Sequence, residues 1–575
     1  METYTEQTGQ AANIVSAGTE APFLPDEKEG LSKDLYSLPS REILDRILRL
    51  ERPQELIQKL ASEDFFWLVK KIGEDACLPA LKLASLDQWQ YLIDLEIWKR
   101  DRLDMSQISR WMNLLQLADC KRLVRWLLSE GQAIAYYYFL RTVEVVALET
   151  KDGVNDLPEG FFSLGGIFHI KVVDQAHRET IENIISAMAA EGFEQYQALF
   201  LGLAGILPSV LEEELYRLRN VRLAEHGFLP FEEAITVYSP LKLDVLKTGE
   251  DKALVDIIHD EEVRAMVPVY PLDQTGIENV FMEVVSGVRD SVFLDRLRLE
   301  FAGLANQIIA ADGLIGVDIE VLVQACKKAA RIINLAIEGT CGRDLSSAEN
   351  LLRRHPLITL FRVGFGMVLT LKWKAERWLR TSWFYRQGLE PGFWGDHRGG
   401  ILKGLLARRP RFYIGSREEE EYRDFEWLSD LNECLEVLGG LMVLDGLLEK
   451  ISEVPRIEGV LKSPELTFYP LLFNFWARLI LKMEPSFSGI SLQQAKNFFS
   501  KLREGDIEHP YGMPGFQKRF IKDLLTYANN ADPEVASMLE NSLSLIWEEF
   551  SEEYEMVSIS DLDGKYSKFV TTIND

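Results

Sequence analysis

The stretch Leu60-Ala61-Ser62-Glu63-Asp64 returns further along as Leu83-Ala84-Ser85-Leu86-Asp87, and more faintly as Leu117-Ala118-Asp119. Ser62 and Ser85 are placed to accept bonds from first-turn amides, so each copy reads as a helix start. Behind them lie apolar, aromatic-rich faces at helical spacing: Phe65, Phe66, Leu68 and Val69 in one, Trp89, Leu92 and Ile93 in the other. No helix this short sequesters its own apolar stripe, so the copies must stack on one another. The pattern predicts a mainly α fold of stacked short helical repeats.

The rest of the chain divides by its periodicity. Residues 1–34, rich in Thr, Gln, Ala, Gly and Glu, offer little to bury and read as a disordered tail. Residues 35–245 form the expected helical-repeat lobe, interrupted at about 143–174 by alternating apolar residues around two glycine turns, a small β-hairpin insertion. Leu211–His226 and Pro230–Tyr238 read as helix, turn, helix, with Gly227 at the left-handed end position and Pro230 in the next first turn. A larger helical lobe follows at 246–550. It opens on one apolar stripe from Val280 to Ile308 and continues through helices over about 318–337, 348–380, 422–450, 469–483, 491–502, 515–528 and 533–550. An acidic segment, 551–575, ends the chain.

Sixty-three basic against ninety acidic residues leave a formal charge of −27, which opposes general attraction to phosphate backbones or anionic membranes. Five scattered cysteines without a CxxC pair read as buried thiols in a reducing compartment. The N-terminal residues have no basic and apolar pattern of a secretory signal, and the uncharged run Gln195–Leu211 is shorter than the roughly 20 residues a spanning helix needs. The expectation is a soluble, cytoplasmic protein.

Arg217-Leu-Arg219-Asn220-Val-Arg222-Leu-Ala-Glu225 with the Gly227-Phe228 turn, inside Glu212–Leu241, resembles an uncharacterised bacterial family known only as a domain of unknown function. Leu60–Leu127 resembles that family's helical opening, and Leu360-Phe361-Arg362-Val363-Gly364-Phe365-Gly366 is similar to it as well. The resemblance spans most of the chain after the tail and implies no activity. Leu56–Leu128 also resembles the cytosolic helical domain of certain magnesium transporters, which implies stacking architecture and not transport.

The most unusual local feature is Lys372–Arg417, where eleven basic residues meet only three acidic ones, a local charge of +8. Aromatic residues are interleaved, with a glycine-bearing loop at Gly388, Gly392, Gly395, Gly399 and Gly400, the composition of a site that binds phosphates while stacking bases. The candidate anion-binding residues are Arg386, His397, Arg398, Lys403, Arg408, Arg409 and Arg411. The competing reading is internal pairing with carboxylates such as Glu418–Glu421. Gly399 and Gly404 have the outer spacing of a phosphate loop, but Leu405 and Leu406 stand where its lysine and hydroxyl belong. Gly364-Phe-Gly366 lacks the third glycine and the preceding strand of a dinucleotide fold.

Asp256, His259 and Asp260 share one helical face but occur once, so a solvated polar face is the better reading than a metal site. Asp312-Gly-Leu-Ile-Gly-Val-Asp318-Ile-Glu320 lacks the alternate oxygen ligands of a calcium loop. No Gly-x-Ser-x-Gly elbow and no adjacent Cys and His pair is present. Arg217, Arg219, Arg222, Glu225 and Tyr238 read as a polar network fixing a helix crossing, with a partner-facing role for some arginines as the alternative. The leading expectation is a scaffold or protein-interaction protein whose partner is another protein, with no cofactor or metal and no membrane insertion. The alternative is an anion- or nucleotide-ligand binder, possibly an enzyme, taking a phosphorylated small molecule or single-stranded nucleic acid at 372–417.

Overall fold

The structure, a computed structural model, describes residues 38–99, 101–147, 159–203, 207–247, 267–273, 275–313, 318–415, 420–453, 466–503, 510–513, 515–528, 532–562 and 568–573. The expected disordered tail and the Asp256, His259, Asp260 face lie outside the described residues. The described chain is mainly α, with a few small strand pairs. It divides into two compact units, one of Met1–Leu223, Glu261–Gln274 and Ile315–Ile319, the other of Ala224–Asp260, Thr275–Leu314 and Glu320–Asp575.

In the first unit the short helices pack on one another. Helices α1 (Ser40–Leu48), α2 (Pro53–Lys59), α3 (Ser62–Ile72), α4 (Leu78–Leu83), α5 (Leu86–Glu96) and α6 (Met105–Leu127) pack in a staggered order, α1 on α3, α2 on α4, α3 on α5 and α4 on α6. Phe65, Phe66, Trp89, Leu92 and Ile93 are fully buried between them. Ser85 caps α5 as its sequence predicts, in a box closed by Gln88. The buried Gln88 amide also donates to the carbonyls of Ile57 (2.7 Å) and Leu60 (2.9 Å), tying the start of α5 to the end of α2. Ser62 departs from expectation: it is the first residue of α3, and Ala61 takes the cap position, so its hydroxyl caps nothing. The buried Asp64 carboxylate instead accepts from the amides of Val269 (3.0 Å) and Tyr270 (3.0 Å), holding the short helix Tyr270–Asp273.

Strands β1 (Trp98–Lys99) and β2 (Arg102–Leu103) form a small ladder before α6. After α7 (Gln132–Thr142) the expected hairpin insertion is an antiparallel sheet of β3 (Val143–Ala147), β4 (Phe161–Phe162) and β5 (Phe168–Val172) in the order β3-β5-β4. Helices α8 (Arg178–Glu191), α9 (Phe193–Gly202) and α10 (Pro208–Ala224) follow. The expected network divides: Tyr238 donates to Asp312 within the second unit, and the α10 arginines bond within the first. Arg222 grips the buried Asp94 carboxylate of α5 through two bonds, 2.6 and 2.7 Å, and Arg219 donates to the Asp94 carbonyl. These bonds fix α10 on α5; the expected second helix, after Gly227, is a single helical turn (Phe231–Ala234) and a 3-10 turn (Ile235–Tyr238).

The second unit is built on longer helices: α11 (Val280–Gly287), α12 (Ser291–Asp312), α13 (Ile319–Cys341), α14 (Leu345–Arg354), α15 (Leu357–Leu379), α16 (Asp396–Leu406) and α17 (Leu428–Ser452). Two expected helices are each broken in two. The Val280–Ile308 stripe stops at Gly287 and restarts behind the Asp290 cap, and the 348–380 helix bends by 114° at Pro356, which has no amide to continue the ladder. The Leu360–Gly366 motif has a packing role: a Cβ at Gly364 would collide with the Ile332 carbonyl of α13, and one at Gly366 with the Leu241 carbonyl. Helices α18 (Phe468–Ile480), α19 (Leu492–Leu502), α20 (Phe516–Ala528) and α21 (Pro533–Tyr554) close around an aromatic core in which Phe473, Trp476, Phe520, Trp547 and Phe550 make successive ring contacts.

Candidate functional site

The basic segment runs from α15 through the short helix Trp383–Arg386, α16 and strand β6 (Phe412–Tyr413), which pairs with β7 (Tyr422–Arg423). Three of its glycines, on α16, serve close packing. Gly399 lies against the Pro391 carbonyl, Gly400 under the Tyr413 ring and Gly404 against the Arg411 carbonyl, so α16 is drawn closely onto its flanking loops.

Several of its basic groups face carboxylates. Arg386 pairs with Glu449 and the exposed His397 lies 3.6 Å from Glu433. Arg398 is mostly buried, bonding Glu549 at 2.6 Å and the Tyr469 hydroxyl at 3.0 Å; Tyr469 in turn donates to Glu549 at 2.5 Å. Burial holds the Tyr469 phenol well above its ordinary value, against the opposing pull of Arg398. Lys372 donates to the carbonyls of Leu406 and Ala407 at the end of α16. Lys403 and Arg408 are exposed and form no ion pair among the described residues, while Arg417, Glu418 and Glu419 lie outside them.

Arg409 and Arg411 are the two candidates that line a common cavity. It is a cleft of about 630 Å³ with Gln324, Ala325 and Lys328 of α13 on one wall and Glu420, Glu421, Tyr422 and Asp424 on another. At its base Asp312, the last residue of α12, gathers three partners. Lys328 Nζ lies 2.7 Å from one carboxylate oxygen, and Tyr238 donates to the other at 2.7 Å. Arg409 also pairs with Asp312, donates to the Ala311 carbonyl at 2.5 Å and stacks 4.0 Å from the Tyr238 ring centre. Burial pushes the Tyr238 phenol upward, and the Lys328 and Arg409 charges oppose that. Burial likewise draws the Arg409 guanidinium down. Arg411 donates to the Tyr422 carbonyl at 2.7 Å.

The cleft's charge balance decides what it offers. Lys328 and Arg409 are both committed to Asp312, whereas Glu420, Glu421 and Asp424 form no ion pair among the described residues. An incoming anion would therefore compete with a fixed carboxylate for each of those two cations. Among the described residues no group of three or more His, Cys, Asp and Glu side chains is placed to hold a metal ion.

Arg409 and Arg411 are expected from the sequence and Lys328 is not, while the Asp312–Glu320 stretch, which lacks a calcium loop's ligands, reads there only as a helix connection. The four-residue spacing of Gln324 and Lys328 on α13 marks a polar helical face; nothing local marks its partner. Among the described residues no single helix is long and apolar enough to cross a membrane; α14 and α15 pass by length and composition only when joined across their bend.

A family model, described as a family of unknown function (DUF6178), matches residues 27–572. The chain belongs to this family. DUF6178 carries no stated activity, and no curated protein and no solved structure matches the chain. The Arg219, Arg222, Gly364 and Gly366 positions through which the sequence resembles a domain of unknown function are thus, in this DUF6178 chain, helix-anchoring and close-packing residues.

Proposed function

We propose that the chain is an α-helical scaffold that works by binding another protein. The observation that carries the reading is apolar exposure where α9 gives way to α10: Leu201 is 47%, Leu207 67% and Val210 59% exposed. Apolar side chains grouped in this way mark surfaces that another macromolecule covers. Glu213 and Glu214 follow them on α10, which favours a protein over an anionic bilayer. The internal pairing of the basic segment supports the same reading, since its arginines hold helices together. The proposal sets the protein in a bacterial cytoplasm, in keeping with its family likeness and five free thiols, and takes the stacked Leu56–Leu128 helices, similar to the cytosolic domain of magnesium transporters, as a platform.

A photo-reactive amino acid at position 207 of the full chain tests this, with one at the exposed Glu540 as control. Discrete protein adducts from position 207 alone are expected; none, or the same adducts from both positions, would refute it. The cleft favours a second reading, a phosphorylated or nucleotide ligand seated between Arg411 and α13, which requires that ligand to displace Lys328 or Arg409 from Asp312.

A further inference from the structure

Helix α10 has two working faces. Its inner face is used within the first unit: Leu211, Leu215 and Leu223 are buried, Glu212 accepts from the Leu103 amide at 2.8 Å, and Arg219 and Arg222 hold Asp94. Its outer face carries Val210, Glu214, Arg217 and Val221, at alternating spacings of four and three residues. This is the repeat by which one helix presents a continuous seam to another. All four are exposed, Val210 by 59% and Val221 by 57%, and Glu214 and Arg217 form no ion pair among the described residues.

The order along the seam, apolar, acidic, basic, apolar, is complementary to itself when reversed. We propose that two copies of the chain pack through α10, antiparallel about a two-fold axis passing between Glu214 and Arg217. Glu214 then faces the partner's Arg217, and Val210 the partner's Val221, each pairing occurring twice by symmetry. A parallel pairing in register would set Glu214 against itself and Arg217 against itself, so charge selects the antiparallel arrangement. A helix of this length spans roughly 25 Å, and a contact of that extent makes a weak dimer, dissociating at micromolar concentrations. The inference rests on the interaction reading and names its partner as a second copy.

Sedimentation velocity on the full chain between about 1 and 100 µM should show a monomer–dimer equilibrium. Glu214→Arg and Arg217→Glu should each raise the dissociation constant by at least about tenfold, and the double reversal should restore it to within about threefold. Val210→Cys mixed with Val221→Cys should cross-link on oxidation, and neither variant alone should. A chain monomeric throughout, a dimer indifferent to the reversals, or a double variant that fails to recover would overturn the inference. A monomer that still yields foreign-protein adducts from position 207 would sink the dimer alone; a monomer with no adducts would sink the interaction reading too.

Discussion

Removing Arg222 should destabilise the first unit more than removing Asp94, although either change loses the same two Arg222–Asp94 bonds. Asp94 is 2% exposed and its carboxylate accepts from Arg222 twice, at 2.6 and 2.7 Å, and from Gln90 at 3.1 Å. The Arg222 side chain is 38% exposed. Arg222→Ala strands a buried carboxylate with the Gln90 amide as its remaining side-chain donor, whereas Asp94→Ala leaves a guanidinium that water can reach. Breaking a fully buried pair costs about 3–5 kcal/mol. Arg222→Ala should fall near the lower end, about 3 kcal/mol, and Asp94→Ala, discounted for solvation of the remaining cation, near about 1.5–2 kcal/mol. Urea unfolding followed by tryptophan fluorescence measures both, and the double variant should reveal a coupling of at least about 1 kcal/mol. Asp94→Ala proving the costlier change, or a coupling near zero, would refute the assignment of this pair as the anchor of α10.

Two further outcomes follow from packing and burial. Gly364→Ala should cost about 3 kcal/mol or more, because its Cβ would meet the Ile332 backbone carbonyl, which cannot swing aside as a side chain would; the melting temperature of the second unit checks this, and an unchanged value would contradict the close approach of α13 and α15. Burial pushes the Cys77 thiol up to about 12. At pH 8 roughly one molecule in 10⁴ then carries the thiolate, so Cys77 should resist iodoacetamide in the folded chain and react on unfolding, as peptide mass analysis would show.

The stacking of the first unit was legible because its determinants are local: Ser85 and Gln88 lie three residues apart and form the capping box that such a spacing announces. The same logic failed at Ser62, where the chain enters α3 one residue earlier. Breaks at Pro356 and Asp290 were written in the sequence but lay beneath continuous apolar stripes, which report burial and not direction. The destinations of the charged residues were beyond local reading. Arg222 finds Asp94 from 128 residues away, and Arg409 finds the Ala311 carbonyl from 98; composition announces a basic segment without saying which carboxylates it meets. For the same reason Lys328 escaped notice, since its role depends on Asp312 and Arg409 arriving from two other elements.

On the proposed reading, Arg386, Arg398 and Arg409 hold the second unit together and function lies on exposed surfaces. Thermal unfolding of the full chain against nucleotides, phosphorylated metabolites and short single strands tests it most directly, comparing the unaltered protein with Arg409→Leu and with Lys403→Ala/Arg408→Ala. A ligand at a hundred times its dissociation constant adds about 2.7 kcal/mol, enough to move the transition visibly. The account predicts that no anion raises the melting temperature, that Arg409→Leu lowers it by several degrees, and that the double variant leaves it unchanged. An anion that stabilises the unaltered protein would contradict this: loss of its effect in Arg409→Leu alone would make the cleft a ligand site, and loss in the double variant would place the site at Lys403 and Arg408.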